Sequence, residues 1–71
     1  MTYEMQYCTS LNYEPRALRA RDRLLAKNPG ATVTLTRSSG GVFEILKDGK
    51  LVWSKKATGA FPTDQEVDAL A

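Results

Sequence analysis

The chain has 71 residues, 42% of them hydrophobic and 25% charged, and ten Lys and Arg residues against eight Asp and Glu residues give a net charge of +2. This composition is typical of one small globular domain, and it excludes both a large enzyme with an enclosed cavity and a disordered chain. With no His and a single Cys, one chain cannot form a His-based catalytic triad, a His/Cys zinc site or an internal disulfide.

Membrane and secretory signals are absent from the sequence pattern. No apolar run approaches about 18 residues, the length needed to span a bilayer. The segment Met1–Met5 lacks the basic region and the apolar core of a signal peptide. We therefore expect a single cytoplasmic domain over residues 1–71, away from membranes and without a metal or organic cofactor.

The first half of the chain predicts a strand, a helix and a second strand. Tyr3–Tyr7 places apolar residues at every second position, as a half-buried strand does. Glu14–Lys27 predicts a helix with Pro15 in its first turn, and Asn12 or the residues just after it could cap that helix. Ala31–Arg37 alternates apolar residues with Thr and predicts the second strand.

The second half predicts a hairpin followed by a short helix. Val42–Lys47 and Lys50–Lys55 are predicted strands, and the Asp48-Gly49 pair between them is typical of a tight hairpin turn. Ala57–Pro62 is a predicted loop. A terminal helix is predicted over Thr63–Ala71, in which Thr63 and Glu66 have the spacing of a capping box.

The predicted order is β-α-β-β-β-α. The first crossover should be right-handed and should join parallel strands, and the last three strands are predicted to form an antiparallel meander. The predicted fold is a small two-layer α/β sandwich with a mixed four-stranded sheet.

The first helix has one Arg near its apolar face. Ala17, Leu18, Leu24 and Leu25 define the expected core face, and Arg21 falls near the middle of that arc. Arg21 could lie at a rim, where its stem covers apolar surface, or it could reach an anionic group.

A second face of this helix carries a basic stripe, formed by Arg16, Arg19, Arg23 and Lys27. Such a stripe could follow phosphates, but it could equally be a solvated face. Because the net charge is small and no aromatic residues are interleaved with the stripe, nucleic-acid binding is not favoured.

Cys8 follows the first strand directly and precedes the first helix. Loops of this kind are the usual functional edge of an α/β sheet, and the positive end of a helix dipole favours a thiolate. A free Cys is also often a small buried hydrophobe. Both interpretations remain open from position alone.

Several segments together resemble one family. These are Tyr7-Cys8, Gly41–Ile45, Trp53–Lys56 and Gly59–Pro62, and in their order and spacing the chain resembles the selenoprotein W-like, Rdx-type proteins. That resemblance implies a thioredoxin-like fold and a redox function. It also implies a C-x-x-C or C-x-x-U motif after the first strand, where this chain has Cys8-Thr9-Ser10-Leu11.

Leu11 occupies the second redox position of that motif. An internal dithiol cycle needs one thiolate to attack and a second to resolve the mixed disulfide, so such a cycle is excluded. Cys8 could instead react with glutathione or with a partner's cysteine, while Thr9 and Ser10 hold the thiolate and Leu11 shields it.

Two other interpretations stay open: a protein-interaction module that has lost redox activity, and an inert, packed Cys8. We expect a monomer, with a Cys8-linked dimer as the alternative. An exposed Cys8 sulfur would favour the redox interpretation, and a sealed one would argue against it.

Overall fold

The computed structural model describes the whole chain, Met1–Ala71. Its elements in chain order are β1 (Thr2–Cys8), α1 (Glu14–Lys27), β2 (Thr32–Ser38), β3 (Phe43–Lys47), β4 (Lys50–Ser54), α2 (Lys55–Thr58) and α3 (Asp64–Ala69). The predicted α/β class with a four-stranded mixed sheet is confirmed. None of the helices is both long and apolar enough to cross a membrane.

The strands lie in the order β2-β1-β3-β4. β1 and β2 are parallel, as predicted, but the predicted meander is wrong because β3 pairs with β1 instead of β2. β1 therefore lies inside the sheet, with a neighbouring strand on each side. Its Tyr3, Met5 and Tyr7 side chains are fully or almost fully buried. β2 buries its apolar residues only in part and forms an edge.

One face of the sheet is covered by α1 and α3. α1 buries Ala17, Ala20 and Leu24, so its core face is rotated away from the arc through Arg21. The Arg21 side chain is about one-third exposed and donates to Asp22 at 3.0 and 3.1 Å. Arg21 thus lies at a rim and also reaches an anionic group, the carboxylate of the adjacent Asp22.

The basic stripe of α1 largely faces carboxylates of α3. Arg19 Nε donates to Asp64 at 2.9 Å, and Arg23 Nε donates to Asp68 at 3.0 Å. These pairs tie the two helices together and neutralise the middle of the stripe. This sequence-distant pairing could not be read from the helix alone.

Turn and cap predictions are confirmed in part. Asp48 and Gly49 both have positive φ, 51° and 81°, as the tight hairpin requires, and Thr63 and Glu66 form the capping box. The cap of α1 was predicted at Asn12 or just after it. The N-cap is Tyr13, which makes no side-chain capping bond.

α2 was not predicted. It extends from Lys55 to Thr58, so it takes the last residue of the predicted fourth strand and the start of the predicted loop. Ser54 caps it by accepting from the Ala57 N–H at 3.3 Å, and Gly59 ends it in the left-handed conformation. Four residues are too few to show a helical period.

Candidate functional site

Cys8 is the last residue of the central strand β1. Its backbone N–H donates to the Val42 carbonyl at 2.9 Å, on the β3 side, and the following N–H, of Thr9, donates to the Ser38 carbonyl at 3.2 Å, on the β2 side. The chain is therefore held on both sides where it leaves the sheet. The sequence predicted Cys8 in the loop directly after the first strand, and the structure includes it in β1 as the last residue before that loop.

The Cys8 side chain is completely buried. Its Sγ lies 3.2 Å from the Ser10 Oγ, and Thr9, Ser10 and Leu11 are themselves exposed. The sulfur is thus enclosed by a short surface segment at the edge of the sheet. The Cys8 sulfur is not exposed in this conformation, so the exposure that would favour a redox role is absent. Reaction with a solvent thiol requires the Thr9–Leu11 segment to open.

The surroundings of the sulfur stabilise a negative charge. The Ser10 hydroxyl has the largest effect and lowers the pKa of the Cys8 thiol, while burial acts in the opposite direction. Backbone N–H groups of Gly41, Leu11 and Ser10 lower this pKa further. Because the net direction of the pKa change is downward, a larger fraction of Cys8 is thiolate than in an ordinary Cys at the same pH.

Leu11 directs its side chain outward and is 57% exposed. The Leu11 backbone N–H favours the Cys8 thiolate, and the tip of its side chain lies beside Gly41. At the surface the motif therefore presents an aliphatic group above a buried thiol. The Leu11 side chain itself supplies no acid, base or nucleophile.

An aromatic cluster next to this loop was not identified as functional from the sequence. The Phe61 ring makes edge-on contacts with Tyr13, at a centroid distance of 4.7 Å, and with Phe43, at 5.2 Å. A cavity of about 240 Å³ opens beside Phe61 and Phe43. The Gly59–Pro62 segment was singled out for its family resemblance, and that resemblance was the available signal for this site.

No group of three or more Cys, Asp or Glu side chains is arranged to hold a metal ion. The candidate site consists of Cys8, the loop residues Thr9, Ser10 and Leu11, and the aromatic cluster of Tyr13, Phe43 and Phe61.

Comparisons with known proteins relate the chain as a whole to a redox-type family. The Rdx family profile matches residues 2–70. The crystal structure of a selenoprotein W-related protein from Vibrio cholerae is similar, with a TM-score of 0.90 and 28% identity over 96% of this chain and 88% of that chain. A crystal structure from Bordetella parapertussis is equally similar, with a TM-score of 0.90 and 28% identity over 96% and 89% of the two chains.

No curated protein matches the sequence significantly. The fold agrees with that of the selenoprotein W-related, thioredoxin-like structure, and the profile match extends over nearly the whole chain. The resemblance found in the sequence is therefore confirmed, and the chain belongs to the Rdx family.

Proposed function

We propose that this protein is a single-thiol redox protein, in which Cys8 forms a mixed disulfide with glutathione or with a partner's cysteine. The observation that carries the proposal is the polar environment of the Cys8 sulfur. The Ser10 hydroxyl lies 3.2 Å away, and three backbone N–H groups also lower the thiol pKa. A Cys that only fills space in a core needs no such donors.

The chemistry is a thiol–disulfide exchange. The Cys8 thiolate attacks one sulfur of oxidised glutathione, the S–S bond of glutathione breaks, and one glutathione thiolate leaves and takes up a proton from water. A second glutathione thiolate then attacks the mixed disulfide, which regenerates Cys8 and oxidised glutathione. The external thiol is needed for this second step because Leu11 replaces the internal resolving Cys.

The buried sulfur adds a conformational step to this exchange. The Thr9–Leu11 segment must move before a disulfide can approach, since Cys8 has no exposed surface. In this proposal Ser10 and the backbone of the segment hold the thiolate in the closed form. The proposal places the protein as a monomer in the cytoplasm, where reduced glutathione keeps protein thiols available.

Incubation with oxidised glutathione, followed by intact-mass measurement, tests the proposal. The native chain should gain the mass of one glutathione, reduced glutathione should remove it, and Cys8→Ser should gain nothing. A titration of the Cys8 thiolate should give a pKa below that of the unfolded chain. Absence of the adduct at physiological glutathione, with an ordinary or raised thiol pKa, would contradict the proposal.

The second candidate is a non-catalytic interaction module. It is favoured by one observation: the thiol is fully buried while the adjacent Leu11 is 57% exposed, so the surface offers an aliphatic contact instead of a nucleophile. A module without redox activity should form no glutathione adduct, and the pKa of its Cys8 thiol should be ordinary or raised.

A further inference from the structure

Two cations near the Cys8 loop have no carboxylate partner. The other three Arg residues of α1 are all paired: Arg19 with Asp64, Arg21 with Asp22, and Arg23 with Asp64 and Asp68. Arg16 in α1 and Lys55 in α2 form no ion pair within 4.0 Å.

Both cations converge on one aromatic ring. The Arg16 guanidinium lies 4.1 Å from the Phe61 centroid, and the Lys55 ammonium lies 5.4 Å from the same centroid. The two charges are therefore no further apart than about one Debye length, roughly 10 Å at 0.1 M salt, and they repel each other. Arg16 also lies in the first turn of the 14-residue helix α1, where the helix dipole disfavours a positive charge.

The neighbouring carboxylates bond to other donors and form no ion pair with Arg16 or Lys55. Glu14 accepts from the Tyr7 hydroxyl at 3.2 Å, and Glu66 accepts from the Thr63 N–H at 2.9 Å. Asp64, on the rim of the cavity, is held by Arg19 and Arg23. The fold thus places two positive charges at the Phe61 ring with no carboxylate oxygen within 4.0 Å of either one.

The cavity beside Phe61 gives Arg16 an apolar wall, whereas Lys55 contacts the Phe61 ring from outside the cavity lining. It has a volume of about 240 Å³, and Arg16, Phe43, Phe61 and Val67 are among its lining residues. Cavities that enclose drug-sized ligands run from about 300 to 1,000 Å³. This one is therefore suited to one end of a ligand that combines a carboxylate with a short aliphatic part.

One residue, Tyr13, links the Phe61 ring at the cavity to the backbone of Cys8. Tyr13 packs its ring against Phe61 at 4.7 Å, and its backbone N–H donates to the Cys8 carbonyl at 3.2 Å. A ligand held at Phe61 is therefore connected to the Cys8 backbone through Tyr13.

From these observations we propose that Arg16 and Lys55, on the Phe61 ring, form a binding site for the carboxylate end of a short thiol peptide of the glutathione class. The cations bind the carboxylate, and the cavity takes the adjacent residue of the peptide. This inference rests on the proposed thiol exchange for its choice of ligand. Its geometry is independent of whether Cys8 reacts.

S-methylglutathione is a suitable probe because it keeps both carboxylates and cannot form a disulfide. A chemical-shift titration into the Cys8→Ser variant should move resonances of Phe61 and Tyr13, and the affinity should fall as salt is added. Combined with Cys8→Ser, the double substitution Arg16→Gln, Lys55→Gln should weaken binding by about three- to tenfold, the size expected for exposed charge pairs.

Lys56→Gln is the matched control, since it removes the same charge from the residue next to Lys55 and Lys56 makes no ring contact. It should leave the affinity within about twofold of the parent value. Equal weakening by Lys56→Gln would show a general charge effect and overturn the site, as would shifts that avoid Phe61 and Tyr13. Thermal unfolding of each variant separates loss of binding from loss of fold.

The two proposals fail in distinguishable ways. S-methylglutathione that binds at Phe61, without any adduct on the native chain, would support the carboxylate site and contradict the thiol exchange. If the adduct forms at the same rate in native, Arg16→Gln and Lys55→Gln chains and S-methylglutathione does not bind, the exchange stands and the carboxylate site is overturned.

Discussion

The segment that encloses Cys8 sets how fast the thiol can react, and the cost of opening can be worked out from its bonds. The Thr9 N–H donates to the Ser38 carbonyl at 3.2 Å, and the Asn12 N–H donates to the Thr9 carbonyl at 3.1 Å. Each backbone hydrogen bond contributes about 0.5–1.5 kcal/mol net, so breaking these two costs about 1–3 kcal/mol. The open form is then present in roughly one molecule in 5 to 150.

Labelling of Cys8 by a small thiol reagent measures this population. Relative to the denatured chain at equal thiolate fraction, the native chain should react about 5- to 150-fold more slowly, with only a weak dependence on denaturant. If exposure required global unfolding, a chain of this length, with a stability of roughly 4–10 kcal/mol, would react about 10³- to 10⁷-fold more slowly. The two routes are therefore separable by rate.

Leu24→Ala provides the control, because Leu24 is fully buried in α1, away from the loop. The substitution should lower the free energy of unfolding by about 2–5 kcal/mol. Labelling through local opening should keep its rate in this variant. A rate that rises in step with the lost stability would show that only unfolding exposes Cys8, and this would refute the opening step in the proposed exchange.

Three further predictions follow from the same contacts. Ser10→Ala should raise the pKa of Cys8, since the Ser10 hydroxyl is the largest cause of its lowering, and the pH dependence of alkylation would show no change if that bond is absent in solution. Leu11→Cys should form an internal disulfide on oxidation, and two free thiols after oxidation would contradict the placement of the motif. The pKa of Asp68 is lowered below 3.8, chiefly by the Arg23 hydrogen bond, so its stabilisation is complete above that value and is lost as pH falls through the lowered pKa. The acid decline of the unfolding free energy should therefore be shallower in Asp68→Asn, and parallel curves for the two chains would exclude this ion pair as its cause.

Local elements could be predicted because their causes are local. The bounds of α1 follow from Pro15 near its start and the Asn28-Pro29-Gly30 stop after its end, and the predicted helix matches the structure at both ends. The Asp48-Gly49 turn follows from the need for positive φ at both positions. α2 was missed because its cap, Ser54, is also a regular residue of β4.

Strand order could not be predicted because it depends on relative burial between distant segments. Short connections favour pairing of consecutive strands, which led to the predicted meander. In the structure the chain passes from β2 across the end of β1, where Val42 accepts from the Cys8 N–H, and β3 then forms on the other side of β1. The two central strands, β1 and β3, carry the fully buried Tyr3, Met5 and Ile45, and a strand pattern alone does not reveal this difference in burial.

At the site, sequence position was sufficient to locate Cys8 but not to describe its surroundings. The dipole argument suggested that α1 would favour the thiolate, whereas the largest effect on the pKa comes from the Ser10 hydroxyl. The ring contacts of Arg16 and Lys55 join residues from different helices on Phe61. Such a convergence depends on tertiary packing, and only the resemblance around Gly59–Pro62 pointed toward it.

The buried Cys8 thiol and the two cations at the Phe61 ring together constrain how this domain can work. A ligand at Phe61 needs no opening of the loop, because Arg16 is already exposed, whereas reaction at Cys8 does need it. Binding can change the open population only if the ligand binds the open form more tightly than the closed one. If S-methylglutathione accelerates labelling of Cys8, recognition and exchange are coupled through Tyr13. If it binds and leaves the rate unchanged, the two sites act independently.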